Sequence, residues 1–331
     1  MKKLVYFLAL SLGPFSLAFS QEPGKEKLQL AINNGVLFLK NIQRSDGAIC
    51  DTTNALFDVW ETVIAATAIY DLTNDTNDVA FKKAITFVRL NQNKNGLICH
   101  NQKCKKEYCL ETSAVYFLLL IKIGHLKTVK ARLKIIDTLQ NKLGYWEIGN
   151  PDVTEKKDFP SVTGFVLSIY KAAGVTAPNE KKAYSWLVGQ QNAEGNWGAA
   201  WEYYNCPAYA IWAIKPALSK DLTHKKALLK MNDHILASQK KDGSWFYSDT
   251  LFDKGPSAEL QTAFCLQSID RSLKNEAVIN KAIEFLYNAQ KKDGSWDGGS
   301  FPIKNKRYSK KEYVLSTALS IITINDLINK K

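Results

Sequence analysis

The stretch Lys281-Ala282-Ile-Glu-Phe285-Leu286-Tyr-Asn-Ala-Gln290-Lys-Lys-Asp-Gly294-Ser-Trp296 decides the fold, because the chain writes it more than once. Lys182-Ala183-Tyr-Ser-Trp186-Leu187-Val-Gly-Gln-Gln191-Asn-Ala-Glu-Gly195-Asn-Trp197 repeats it position for position, and Lys230 to Trp245 repeats it nearly so. Weaker copies are centred on Gln43, Gln92 and Gln140, each with a Gly four residues on. The six glutamines 43, 92, 140, 191, 239 and 290 are spaced 49, 48, 51, 48 and 51 residues apart. A fixed period of that size marks a repeat architecture.

Each unit has the same internal order. Apolar residues at three-four spacing before the Gln predict an amphipathic helix. The Gly two residues before the Trp supplies a turn or C-cap. A polar loop follows, then a more apolar helix starting near Glu61-Thr62, Glu111-Thr112, Val162-Thr163, Cys206-Pro207, Gln261-Thr262 and Ser316-Thr317. A helix apolar on most faces belongs inside. The expectation is an all-α (α/α)6 toroid with inner and outer helix rings, one domain over residues 21–331. An open solenoid would need polar capping repeats, and none is visible.

Composition narrows the class further. With 46% hydrophobic and 23% charged residues in 331, the chain is neither disordered, collagenous nor coiled-coil. The only long apolar run is at the start, which excludes a multi-span membrane protein. Lys2 and Lys3, an apolar run from Leu4 to Phe19 broken by Gly13-Pro14, and Ala18-Phe19-Ser20 read as a signal peptide over residues 1–20. Export, to the periplasm or outside the cell, is therefore expected. The net charge is +12, but only five of 44 basic residues are Arg, the residue that grips phosphate in a fork. That excess of Lys reads as a solvated surface with weak attraction to anionic membranes or acidic polymers, not as a nucleic-acid site. A monomer is expected.

Six cysteines in an exported chain raise the question of disulfides. Cys50, Cys99, Cys104 and Cys109 fall in one region, while Cys206 and Cys265 sit in apolar helical segments. Disulfides among the first four are expected, with free thiols as the alternative. The spacing of Cys99-His100, Cys104 and Cys109 raises zinc, but there are four His in the chain and no CxxC pair. Neither a metal nor a cofactor is called for.

The repeated motif runs basic, small, two variable positions, aromatic, aliphatic, three variable positions, Gln, three variable positions, Gly, one variable position, Trp. It resembles the QW repeat of squalene-hopene cyclases, and so the terpenoid cyclase and protein prenyltransferase superfamily of toroids, over the whole chain after residue 20. The resemblance implies that Gln191, Gln239 and Gln290 cap helix ends and that Trp197, Trp245 and Trp296 pack against the next repeat. Family chemistry carries over less well. No DxDD acid motif exists; the nearest fragments are Asp58-Val-Trp60-Glu61-Thr62 and Glu259-Leu-Gln261-Thr262. Asp297-Gly-Gly lacks the Cys and His of a prenyltransferase zinc site. Cys109-Leu-Glu111-Thr112 lacks the Gln of a thioester site.

Alignment on the recurring Thr puts Glu61 and Glu111 at one position of adjacent inner helices. Two carboxylates at one cavity could serve as acid and base. Equally, a Glu in a first helical turn is favoured by the helix dipole alone. Glu259 is a third candidate. Candidate ligand-binding residues at the same helix starts are Asp58, Trp60, Tyr108, Trp201, Glu202, Tyr203, Tyr204 and Tyr313. Aromatic faces suit a polyprenyl cation or the apolar faces of sugars. Three functions follow as expectations. The first is a cyclase-like enzyme, or a degenerate relative, binding or transforming an isoprenoid-like ligand. The second is a secreted polysaccharide lyase or hydrolase. The third is a non-catalytic small-molecule carrier.

Overall fold

The computed structural model describes residues 23–51, 57–104, 106–149, 158–198, 206–218, 224–247, 256–271, 275–303 and 306–329. The expected signal peptide lies outside them. No described helix is long and apolar enough to cross a membrane.

Twelve helices form the described chain, in alternation. The outer helices are α1 (Lys25–Asn41), α3 (Val79–Leu90), α5 (Leu126–Asp137), α7 (Glu180–Gly189), α9 (Lys225–Ser238) and α11 (Glu276–Ala289). The inner ones are α2 (Asp58–Thr73), α4 (Leu110–Lys122), α6 (Pro160–Ala173), α8 (Pro207–Leu218), α10 (Ala258–Ser268) and α12 (Val314–Asn329). Each inner helix packs on the next, and α12 packs back on α2, so the ring is closed. Outer helices bury one stripe; α12 buries nearly every residue. One feature was not expected: the loop into α12 carries an antiparallel pair, β1 (Gly299–Ile303) and β2 (Lys306–Glu312).

The Gln side chains are the joints of the ring. Gln43, Gln191, Gln239 and Gln290 each donate through Nε2 to the Gly carbonyl four residues on and to a carbonyl of the next outer helix, at 2.8–3.0 Å. For Gln290 the next outer helix is α1, and the acceptor is Ala31 O at 2.8 Å. Gly294 shows why glycine is needed at these turns. Its φ is +90°, and a Cβ there would lie 2.4 Å from Asn34 O of α1. Trp146, Trp197, Trp245 and Trp296 donate Nε1 to a carbonyl ten residues back, within their own repeat's outer helix. The indole thus staples its own repeat, and Trp296 also abuts Gly35 of α1.

Candidate functional site

The inner-helix register is set by a hydroxyl that recurs around the ring. Thr62, Ser113, Thr163, Thr262 and Thr317 accept the backbone N–H of Ile49, Ile98, Trp146, Trp245 and Trp296 at 3.0–3.2 Å. In the second repeat the anchor is Ser113, not Thr112. This corrects the sequence alignment by one residue. Glu61 stands one residue before its anchor, Glu111 two and Glu259 three. At about 100° per residue, the three carboxylates lie on three different sides of their helices.

Two residues before the anchor is the position that faces the axis. It lies one turn from the residues two after the anchor, which line a central cavity: Ile64, Val115, Phe165 and Leu319, with Trp212 in the fourth repeat. Trp60, Glu111 and Ser161 share this axial position. Ser161 Oγ donates to Glu111 Oε1 at 2.7 Å, and the Tyr209 hydroxyl also donates to that carboxylate. The Trp60 ring meets Phe165 at 6.2 Å and Tyr209 at 6.4 Å. Burial pushes the Glu111 carboxyl up to about 7, against the opposing pull of its Ser161 and Tyr209 hydrogen bonds. Burial thus raises the Glu111 carboxyl toward neutrality, while the Tyr209 hydroxyl donates to it.

Glu61 is turned to the loop. Its Oε2 accepts the N–H of Asp51 at 2.9 Å. Asp51 Oδ2 in turn accepts the N–H groups of Tyr313 and Val314 at 2.6 and 2.7 Å, so it caps α12 and helps close the ring. The fifth repeat builds the same joint from Gln261, whose Oε1 accepts the N–H of Tyr247 at 2.8 Å. Glu259, half-buried, is held above the ordinary carboxylate range by burial, with its Ser257 hydrogen bond opposing.

The other candidates are distributed around the rim. Asp58 accepts Gln102 N at 3.2 Å and Gln102 Nε2 at 2.7 Å, and burial raises its pKa despite these bonds. Tyr108 packs so tightly on Gly149 that a Cβ there would lie 2.1 Å from its ring. Tyr313 carries the Lys291 ammonium 4.1 Å over its ring, and Lys291 pairs with Asp297. Trp201, Glu202, Tyr203 and Tyr204 lie outside the described residues.

Cys99 and Cys104 are joined as a disulfide, within the group of four expected to pair. Cys50 and Cys109 are buried as thiols, as are Cys206 and Cys265. Burial, then the nearby Glu111 charge, pushes the Cys109 thiol up to about 12, so it is no nucleophile at neutral pH.

The cavity opens at the end sequence reasoning did not consider. It occupies about 230 Å³ toward the C-terminal ends of the inner helices, about one turn above Glu111. Its second tier comes five residues after each anchor: Thr67, Leu118, Ser168, Gln267 and Ile322. At its mouth Lys122 forms an ion pair with the buried carboxylate of Asp71. The inner helices run parallel, so their negative dipole ends gather here, and Lys122 and Lys171 stand at these ends. Trp212, Phe165, Tyr209 and Phe264 pack as an aromatic floor between cavity and rim, with centroids 5.1–6.1 Å apart. These cavity residues were missed because in sequence they read as ordinary core. Their only signal is a fixed offset from the anchor hydroxyl.

A closed ring of six helical hairpins, stapled by Gln and Trp around an axial cavity, is the toroid of terpene cyclases. Residues 140–314 match the model of the squalene-hopene cyclase C-terminal domain, and the chain belongs to that family. Among solved structures, the type II terpene cyclase MstE from Scytonema, in complex with its product merosterolic acid A, superposes with a TM-score of 0.74 at 16% identity. That match covers 92% of this chain and 97% of MstE. A possible member of the GH105 family from Klebsiella pneumoniae gives 0.63 at 15% identity, over 99% of this chain and all of that one. The ent-copalyl diphosphate synthase from Streptomyces platensis gives 0.59 at 14% identity, over 83% of this chain and 51% of the synthase. At these identities the likeness is one of fold.

Proposed function

We propose that this chain is an exported, cyclase-like toroid that takes an isoprenoid-like ligand into its axial cavity, with Glu111, beneath the aromatic floor of that cavity, as its acid. The observation that carries the reading is the cavity itself. Its first tier is wholly apolar, and at about 230 Å³ it exceeds the ~150 Å³ hole that admits benzene in an engineered core. The floor beneath it is aromatic, and such faces stabilise a carbocation. Glu111 lies below this floor and outside the cavity lining, hydrogen-bonded by Ser161 and Tyr209; in this reading it acts as the acid on a chain end that passes between the floor rings, and becomes the carboxylate those two hydroxyls already solvate. MstE has been captured with geranylgeranyl dihydroxybenzoate, its substrate, and a chain of that chemistry suits the lining here. A polysaccharide, as a GH105-type relative would imply, fits this lining less well, since sugars need a wetter groove with more hydrogen-bonding groups.

The test is native mass spectrometry of the protein purified from its own host, followed by organic extraction. A recovered isoprenoid or other single-chain lipid supports the reading. A ligand-free protein that also fails to bind farnesol or geranylgeraniol, but binds an acidic polysaccharide, overturns it.

A further inference from the structure

The loop that carries the disulfide has a chemistry of its own, apart from the axial cavity. Cys99 Sγ, His100 Nδ1 and Cys104 Sγ all lie within 4.8 Å of one another. Nδ1 stands 3.4 Å from the Cys99 sulfur and 3.7 Å from the Cys104 sulfur. In a tetrahedral zinc centre, with Zn–S near ~2.3 Å and Zn–N near ~2.0 Å, nitrogen and sulfur ligands sit about 3.5 Å apart. The imidazole is already at that separation from both sulfurs. Only the two sulfurs must part.

The backbone holds the three residues in this arrangement. Asn101 Oδ1 accepts the N–H groups of Lys103 and Cys104 at 2.9 and 3.2 Å, which winds the 3-10 turn Gln102–Cys104 and returns Cys104 to His100. The loop is also pinned from below. His100 O accepts Val59 N and Trp60 N, both at 3.2 Å, and Gln102 grips Asp58. Cys99 and His100 are buried, whereas Cys104 is half-buried and leaves one side toward solvent.

We propose that, with the disulfide reduced, Cys99, His100 and Cys104 form a site for a thiophilic divalent cation of the zinc class, with water as fourth ligand. Two thiolates and an imidazole select zinc over the hard cations magnesium and calcium. A small-molecule or protein dithiol supplies the reduction: its two thiols give two electrons and two protons to the Cys99–Cys104 bond and close into their own disulfide. The two freed thiols then release their protons to water as the cation binds both sulfurs. The cation replaces the disulfide as the cross-link, so the loop keeps its hold on the start of α2 in either state.

The full-length mature protein tests this. It is reduced with an immobilised dithiol under argon, separated from the resin, and titrated with zinc against a chromophoric chelator. One zinc per chain is expected in the reduced protein and none in the oxidised protein. A Cys99→Ser/Cys104→Ser double variant, which keeps the other four cysteines, should lose the site. His100→Ala, which keeps both sulfurs, should weaken zinc binding by about tenfold or more. Cobalt gives a second readout, since its visible spectrum reports tetrahedral thiolate ligation whether or not the double variant folds. The proposal fails if reduced wild type binds no more zinc than the double variant, or if zinc binds only after the helical circular dichroism is lost.

Discussion

Glu61 and Gln261 do the same work in repeats one and five: the Glu61 carboxylate accepts the N–H of Asp51 at 2.9 Å, and the Gln261 amide oxygen accepts that of Tyr247 at 2.8 Å. A side chain that looks like an acid in sequence is, in position, the counterpart of a neutral hydrogen-bond acceptor. Glu61→Gln should therefore keep the joint and stay within about 1 kcal/mol of wild type. Glu61→Ala should cost about 1–3 kcal/mol, because it removes the carboxylate that accepts the Asp51 N–H and loosens the cap on α12. Chemical denaturation of both variants separates the roles. A Glu61→Gln variant that is fully stable yet loses whatever turnover the wild type shows would return Glu61 to the chemistry.

Glu111 makes stability depend on pH. Folding raises its pKa from an ordinary 4.5 to about 7, so between these values the folded protein keeps a proton that the unfolded chain has released. The stabilisation this gives is complete below about pH 4.5 and is lost as pH rises through about 7. The swing is about 3 kcal/mol at ~1.4 kcal/mol per unit. In Glu111→Gln that component should vanish, and the variant should gain on wild type between pH 5 and pH 8. Urea unfolding at the two pH values checks it; equal slopes for both proteins would remove Glu111 as a group titrating near neutrality.

Leu118 lines the cavity from the second tier and is only partly buried. Leu118→Trp should fill the space at a cost of no more than about 1–3 kcal/mol. The amount of co-purifying lipid should fall several-fold while the circular dichroism stays unchanged. Lipid recovered in undiminished yield would mean that it binds elsewhere.

Gly294→Ala strikes the joint between repeats six and one. The new Cβ would meet Asn34 O at 2.4 Å in a backbone that already has positive φ. A loss of about 3 kcal/mol or more is expected. Gly189→Ala is the control, since nothing lies within 4 Å of its added Cβ. Thermal unfolding of the pair gives the comparison.

How much of this was legible in the sequence depends on the length scale. Six glutamines at near-constant spacing carried the ring, because a joint must recur wherever a repeat meets the next. The anchor hydroxyls carried the inner-helix starts. They failed in repeat two, where Thr112 and Ser113 are adjacent and either could serve. That one-residue ambiguity decided whether Glu111 faced the axis or the loop, and only three-dimensional pairing resolves it. Trp60 and Asp58 were expected to bind ligand at the helix starts; in the fold Trp60 packs on Phe165 and Tyr209, and Asp58 spends both carboxylate oxygens on Gln102, a partner 44 residues away. The cavity was invisible because a hole is made of what its lining residues fail to fill. The strand pair β1–β2 was hidden by its lysines and by Pro302, which argue against a strand where an edge can in fact tolerate them.

The bond from Gln290 to Ala31 makes the sixth joint the same as those at Gln43, Gln191 and Gln239. An open stack of hairpins frays from its two outermost units, which have neighbours on one side only. Here every hairpin has two neighbours. Melting must begin by breaking two contacts at once, and after that the remainder has become an open stack with loose ends. Loss of structure should accordingly be all-or-none, with slow amide exchange in α1 and α12 matching that in α6 on the far side of the ring.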